Sequence, residues 1–353
     1  MARTGSASTA AGPTLAVVAR EAGVSVPTAS KVVNGRQDVA PETRRRVTEA
    51  LNRLGYVRRP RFGDGRMPHL VDLVVPSLEE SGSGAVLHGA EEAAHDAGLE
   101  IVVSTATRRG RPDGPERSWL DRLVVRGSSG VLFHLTGPSA PQRRWLEQHR
   151  IPFVVIDPVL DPPADVVSVG AANWQGAVTA TEHLLSLGHG RIAVITGERS
   201  TASGDARLAG YHSALVAAGA RHRAEYVRHA AHDAAAARHR TRELLDLPEP
   251  PTAVFVCSDR MAPGVYGALA ERGLRVPDDL SVVGFDDLPE ARWLTPALTT
   301  VRRPRSEMAA TALRLLLRMA DGHRPESTRT ELSTRLVERS STAPPGSRPG
   351  AHG

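Results

Sequence analysis

From Met67 to Arg339 the chain alternates short, nearly continuous apolar runs with segments of helical periodicity, and that alternation leaves few folds open. Runs at Val71–Val75, Glu100–Ser104, Gly130–Leu135 and Phe153–Ile156 read as strands, with helices near Gly84–Ala97, Glu116–Arg126 and Pro141–His149 between them. After Asp157 the pattern restarts. Strands read near Val166–Val169, Ile192–Thr196, Tyr226–His229, Ala253–Val256 and Ser281–Gly284, and helices near Trp174–Leu187, Asp205–Ala218, Ala234–Leu245 and Met261–Arg272. Strands apolar on both faces and joined by helices form parallel sheets covered on both sides. Two successive sets predict an α/β core of two doubly wound parallel-sheet lobes. Ligands in such folds bind where strand C-terminal ends face one another. The sequence puts Ser77, His134, Asp157, Asn173, Trp174, Thr196, Ser258, Asp259 and Asp286 at those ends, with Arg207 at a helix start. The first strand is followed by Pro76-Ser77-Leu78-Glu79-Glu80, which lacks the glycine fingerprint of a dinucleotide site and argues against a nicotinamide enzyme.

The N-terminal sixth is different. Thr14 can cap a helix whose Leu15, Val18, Ala19 and Ala22 recur at helical spacing. Gly23 and Val24 allow only a tight turn. Ser25 can cap a second helix that turns Ala29, Val32 and Val33 inward and leaves Val26, Pro27, Thr28, Ser30 and Lys31 outside. Asn34 and Gly35 stop it. A third helix from Pro41, with Glu42 in its first turn, buries Val47, Ala50, Leu51 and Leu54. Two helices on a tight turn with a third closing the core make a helix-turn-helix headpiece. Its outer face suits DNA. The hydroxyls of Ser25, Thr28 and Ser30 reach phosphates, and Lys31 reaches a phosphate or a guanine edge. Val26 and Pro27 offer apolar contact to thymine methyls. Residues 1–66 hold one Lys and eleven Arg against five acids, +7, while the whole chain is only +5. The basic field therefore belongs to the headpiece, with Arg44, Arg45, Arg46, Arg58, Arg59 and Arg61 placed either along phosphates or on a solvated face.

Position by position, Ala19, Ala22, Gly23, Val24, Ser25, Thr28, Ser30, Val32, Val33, Asn34 and Gly35 resemble the headpiece signature of the LacI/GalR family of bacterial repressors. The resemblance continues through Ala180-Thr181-Glu182-His183-Leu184, Leu187-Gly188-His189-Gly190-Arg191-Ile192-Ala193 and Arg207-Leu208-Ala209-Gly210-Tyr211. It extends through Val276–Asp287 and Leu298-Thr299-Thr300-Val301, so it covers residues 14–340. It implies a core like that of periplasmic sugar-binding proteins, crossed three times by the chain, with the last helix (Pro304–Ala320) returning to the first lobe. It implies a homodimer, formed through the core helices that follow Pro76 and Pro263, on a near-palindromic double-stranded operator. Thr14, Asn34 and Tyr56 join the DNA-contacting set on this basis. It also implies effector contacts at Asp157, Asn173, Arg207, Ser258 and Asp286. A carboxylate accepts from two hydroxyls and a guanidinium donates to two, so Asp286 and Arg207 suit a neutral polyol. Trp174 either stacks on a sugar ring or packs between lobes. Removal of Asp286 or Arg207 is expected to abolish the ligand response and leave folding near normal. The chain departs from the family after Gly55-Tyr56-Val57: Arg58-Arg59-Pro60-Arg61-Phe62-Gly63-Asp64-Gly65-Arg66 lacks the leucine that wedges into the minor groove, and Pro60 and the glycines disfavour a helix there.

Other classes fit poorly. No run of eighteen apolar residues exists, the first dozen residues hold no apolar segment of a secretory signal, and a cytoplasmic location is expected. Cys257 is the single cysteine, at a buried strand end, where it acts as a small apolar residue and excludes an internal disulfide. His189, between a helix end and a strand start, favours a structural turn role over a general base. No nucleophile motif or metal pairing is found, so no enzyme activity and no cofactor or metal are expected. Aromatic content of 4% speaks against a nucleobase effector and for a small sugar, while Arg302, Arg303 and Arg305 keep a sugar phosphate open and a protein corepressor is a further alternative. The expected organisation is a disordered lead (1–12), headpiece (13–57), linker (58–68), two-lobed core (69–340) and disordered tail (341–353). The function expected is repression of carbohydrate-utilisation genes.

Overall fold

The computed structural model describes residues 15–33, 39–54, 70–106, 117–197 and 201–346. The chain divides into two compact units, Met1–Arg66 and Met67–Gly353.

In the first unit, α1 (Leu15–Glu21) and α2 (Val26–Val33) pack with α3 (Pro41–Leu54). The amide of Thr28 donates to Ser25 Oγ at 3.3 Å, so Ser25 caps α2. Val18, Ala19, Ala22, Ala29, Val32, Val39, Val47 and Ala50 form the core, and Leu15, Val24, Leu51 and Leu54 pack around it. Val33, expected inside, is only half-buried and lies outside this cluster; Val24 and Val39 fill the space between helices instead.

The second unit contains two sheets. The first holds β1 (Leu70–Val75), β2 (Glu100–Thr105), β3 (Val131–His134), β4 (Phe153–Ile156), β5 (Ser168–Ala171) and β11 (Arg329–Leu332) in the order β11-β5-β4-β3-β1-β2. All its pairs are parallel. The second holds β6 (Ile192–Thr196), β7 (Val227–His229), β8 (Ala253–Val256), β9 (Ser281–Asp286), β10 (Thr299–Arg302) and β12 (Arg335–Val337) in the order β12-β10-β9-β8-β6-β7, with only β12 antiparallel. The run at Val166–Val169 therefore does not begin the second lobe: Val169 pairs with Ile156, and the chain leaves the first sheet only after Ala171. The edge strands β11 and β12 hold only exposed and half-buried residues, and show no apolar run in the sequence.

Helices cover both sheets. α4 (Ser83–Asp96) and α12 (Arg305–Ala320) pack together in the first lobe, with α12 under β4 and β5. In the second, α7 (Asn173–Ser186) lies against α8 (Ala202–Ala217), and α9 (Ala234–Leu245) against α10 (Ala262–Ala270). The α7–α8 approach needs Gly210, where a Cβ would stand 2.3 Å from the Trp174 carbonyl oxygen. The chain thus crosses between lobes between β5 and α7, between β10 and α12, and between β11 and β12.

The expectation of a disordered tail from residue 341 is corrected for residues 341–346. Ser341 is fully buried; its Oγ donates to the Val282 carbonyl at 2.6 Å and accepts from the Thr299 amide at 2.7 Å. Ala343 N–H donates to Ser281 Oγ. Composition alone misleads here because a few hydrogen bonds to strand ends suffice to fix a Pro/Gly-rich segment. His189 belongs to the same arrangement: it is buried, its ring nitrogens pairing with Thr252 Oγ1 and the Ala343 carbonyl, which is a structural role.

Candidate functional site

On α2, Ser25, Val26, Pro27 and Lys31 are exposed, while Thr28 and Ser30 are half-buried beside them. Burial of Ala29 and Val32 on the opposite side fixes this orientation. The Ser25 and Thr28 hydroxyls lie 2.8 Å apart, so capping and a DNA-facing role fall on the same group. Arg45, expected along phosphates, is held on its own helix by Glu42 at 2.7 Å and Glu49 at 3.0 Å. Thr14, Asn34, Tyr56, Arg58, Arg59, Arg61 and Phe62 lie outside the described residues.

Between the two lobes of the second unit lies a cleft of about 240 Å³. Its first-lobe wall carries Glu80, Gly82, His134, Leu135, Asp157 and Val159. The second lobe contributes Thr201, Ser203, Arg207, His232, Ser258, Arg260, Asp286 and Leu288, and the crossover after β10 contributes Arg303 and Arg305. Of the six residues expected to hold an effector, Asp157, Arg207, Ser258 and Asp286 line this cleft. Asn173 and Trp174 do not. Asn173 stands behind Arg207, its Oδ1 accepting from Nε at 2.9 Å. Trp174, in the first turn of α7, is 44% exposed and is not among the residues that line this cleft.

The polar groups of the cleft are buried and tied to one another. Asp286, at the end of β9, accepts from Ser258 Oγ at 2.9 Å and lies 2.8 Å from Arg303 Nε, 3.0 Å from Arg305 Nη2 and 3.7 Å from Arg207 Nη2. Arg303 also pairs with Asp157 at the end of β4. A residue on a crossover therefore ties a first-lobe carboxylate to a second-lobe carboxylate. Arg207 Nη1 donates to the Cys257 carbonyl at 2.5 Å, and its guanidinium lies 4.0 Å from the Phe285 ring centre. Leu135, Asp157 and Asp286 have φ of 56°, 54° and 120°, so left-handed and strained backbone gathers where the strands end at the cleft. Two contacts link the lips of the lobes: Arg260 with both oxygens of Glu80 at 2.7 Å, and Ser81 Oγ with Glu290 at 2.5 Å.

Burial raises the cost of ionising Asp286, but Arg303, Arg305 and Arg207 outweigh it and hold its carboxyl well below the usual range. Burial works against Asp157 too, and Arg303 prevails. Asp259, just behind, is different: burial and then repulsion from Asp286 push it up to about 8, although Thr300 Oγ1 and the Leu288 amide donate to it. His134 is pushed down to about 4 by burial, and its Nδ1 has no hydrogen-bond partner; nor does Arg303 Nε, whose N–H is not aligned with Asp286. His134 was legible as a strand-end residue and Arg303 and Arg305 as basic residues able to meet an anionic ligand, but not their burial around Asp157 and Asp286.

A helix-turn-helix unit followed by a two-lobed α/β core with a charged interlobe cleft defines a two-module DNA-binding regulator. Residues 14–59 match the profile of "Bacterial regulatory proteins, lacI family", and residues 181–342 that of a "Periplasmic binding protein-like domain". The chain is 31% identical to the HTH-type transcriptional repressor PurR of Salmonella arizonae, over 94% of this chain and 97% of that one. It is 30% identical to the repressor CytR of Escherichia coli K12, over 93% and 96%. Among solved structures, a transcriptional regulator CelR–cellobiose complex aligns over 93% of this chain and 99% of its own, at 33% identity and a TM-score of 0.67. The Lac repressor dimer bound to operator and the anti-inducer ONPF aligns over 94% and 100%, at 28% identity and 0.69. The chain belongs to the lacI family and is a DNA-binding transcriptional repressor rather than an enzyme. Among the described residues, no helix is long and apolar enough to cross a membrane.

Proposed function

We propose that this repressor acts in the cytoplasm as a homodimer on a near-palindromic operator, and that a small sugar in the interlobe cleft sets its operator affinity at carbohydrate-utilisation genes. The observation that carries this reading is the convergence of Asp157 from one lobe with Arg207, Ser258 and Asp286 from the other on one cleft. A ligand touching both lobes favours one lobe arrangement over another, which is the thermodynamic requirement for altering DNA affinity. Carboxylates and guanidiniums together accept from and donate to vicinal hydroxyls. The cleft volume, below the ~300–1,000 Å³ of drug-sized sites, fits a single sugar ring. Two similar structures hold saccharides, the CelR complex with cellobiose and a regulator from Enterococcus faecium with bound ribose.

Ser25, Val26, Pro27, Thr28, Ser30 and Lys31 are the described residues assigned to DNA, with Thr14, Asn34 and Tyr56 added by family likeness. A headpiece this small buries too little to bind tightly alone, so two copies read one site. Footprinting is expected to show two symmetric half-sites, and sedimentation a dimer at micromolar concentration. A thermal-shift screen of saccharides, sugar phosphates and nucleobases tests the ligand; stabilisation by purines and by no saccharide overturns the sugar.

A further inference from the structure

The cleft keeps more buried positive charge than it neutralises. Arg207, Arg303 and Arg305 are each at least nine-tenths buried, and Asp157 and Asp286 are the two ionised carboxylates that face them. Arg260 does not alter the balance, because Glu80 takes it at the lip. Asp259 pairs with none of the three guanidiniums; its oxygens accept from Thr300 Oγ1 and the Leu288 amide instead. The cost of this excess is visible in Arg207 and Arg305, where burial and the neighbouring Arg303 both disfavour the charged state. Guanidiniums stay charged in proteins, so the excess is real. Beyond the Arg303 Nε–Asp286 Oδ1 ion pair, one more polar atom of the lining, His134 Nδ1, is buried without a hydrogen-bond partner. Buried positive charge in excess of its counter-charge is costly, and an occupant that brings an anion relieves it.

We propose that the effector is an acidic sugar: a single-ring or open-chain polyol carrying one carboxylate or phosphate, its anion seated against Arg303 and Arg305 and its hydroxyls against Asp157, Asp286 and Ser258. This rests on the sugar reading of the same cleft and narrows it. The anion supplies the missing counter-charge where the crossover meets both lobes, and the hydroxyls retain the contacts that select a sugar over a bare ion. Inorganic phosphate alone is therefore a poor ligand.

Calorimetric titration of the full chain with glucose, galactose, glucuronate, galacturonate, gluconate, glucose 6-phosphate and inorganic phosphate tests the proposal. At least one acidic sugar is expected to bind about tenfold or more tighter than its neutral counterpart, the size of a charged hydrogen bond. The preference should shrink as salt rises. The uronate and aldonate arms against the glucose 6-phosphate arm say which acid group is recognised. Arg303→Gln should reduce the preference to below about threefold, and Arg303→Lys should restore most of it. If Arg303→Gln does not fold, Arg305→Gln and the wild-type ratio carry the test. Equal affinity for neutral and acidic sugars overturns the anion and leaves the sugar reading standing. Failure of every acidic sugar to bind at millimolar concentration also overturns it, and a response to nucleobases with silence toward all sugars overturns both.

Discussion

The headpiece and the cleft solve the problem of displaying polar chemistry in opposite ways. The headpiece sets Val26 and Lys31 on an exposed helix face over a core of small side chains, so these groups proposed to meet DNA contribute little to what holds the helices together, Ser25 with its cap being the exception. In the cleft, Asp157, Arg207, Asp286, Arg303 and Arg305 are buried and ion-paired with one another, so the groups proposed to bind are also structural groups. A substitution at Lys31 is expected to separate binding from stability; one in the cleft cannot.

The sharpest way to break this contrast is Asp286→Ala. Three guanidiniums lose their shared partner, and the core is expected to lose about 3–5 kcal/mol in chemical denaturation. This differs from the sequence-based expectation that the residue is dispensable for folding, which a loss below about 1 kcal/mol would bear out. Next in size is a pH effect. An unfolded histidine takes up its proton near pH 6.5, whereas His134 does so only at about 4. Between those values the unfolded chain binds more protons, so stability present above pH 6.5 is lost as the pH falls toward 4, by on the order of 3 kcal/mol. Asp259, held up at about 8, pulls the opposite way as pH rises, so the test is a comparison with His134→Gln, whose melting temperature should fall less steeply over that window. Smaller again, Lys31→Ala should weaken operator binding about tenfold and reduce the salt dependence by about one released ion, with core melting unchanged. Ser25→Ala should weaken binding too, partly through its cap, worth about 1 kcal/mol. Smallest of all, Arg45→Ala should change operator affinity less than twofold in a gel-shift titration, because Glu42 and Glu49 already engage it. A tenfold loss there would show that the helix pairs open on DNA.

What could be read from the sequence follows the same division. The α2 face was legible because helical period and capping are local, and Ala29 and Val32 point one way by geometry. The parallel sheets were legible because their strands are continuous apolar runs. The assignment of β5 was not, since nothing in Ser168–Ala171 says which sheet it will join; the pairing of Val169 with Ile156 decides it. In the cleft, Asp157 and Asp286 stand at recognisable strand ends, but the network around Asp286 joins residues 207, 258, 303 and 305 of the chain, and no spacing encodes that. Trp174 shows the converse: a residue beside a strand end along the chain that does not line the cleft.

The strand order has a consequence for biosynthesis. The first lobe takes its cover helix α12 and its edge strand β11 from residues 305–332, after the whole second lobe except β12 has been made. On the ribosome, the first lobe must therefore wait with the β4–β5 part of one sheet face bare and an edge open. The headpiece can fold as soon as it emerges, and the second lobe is nearly complete before the first can close. Protection of the bare face around β4 and β5 then falls to whatever meets nascent chains, and a stop anywhere before residue 305 leaves apolar strands that nothing later in the polypeptide can cover.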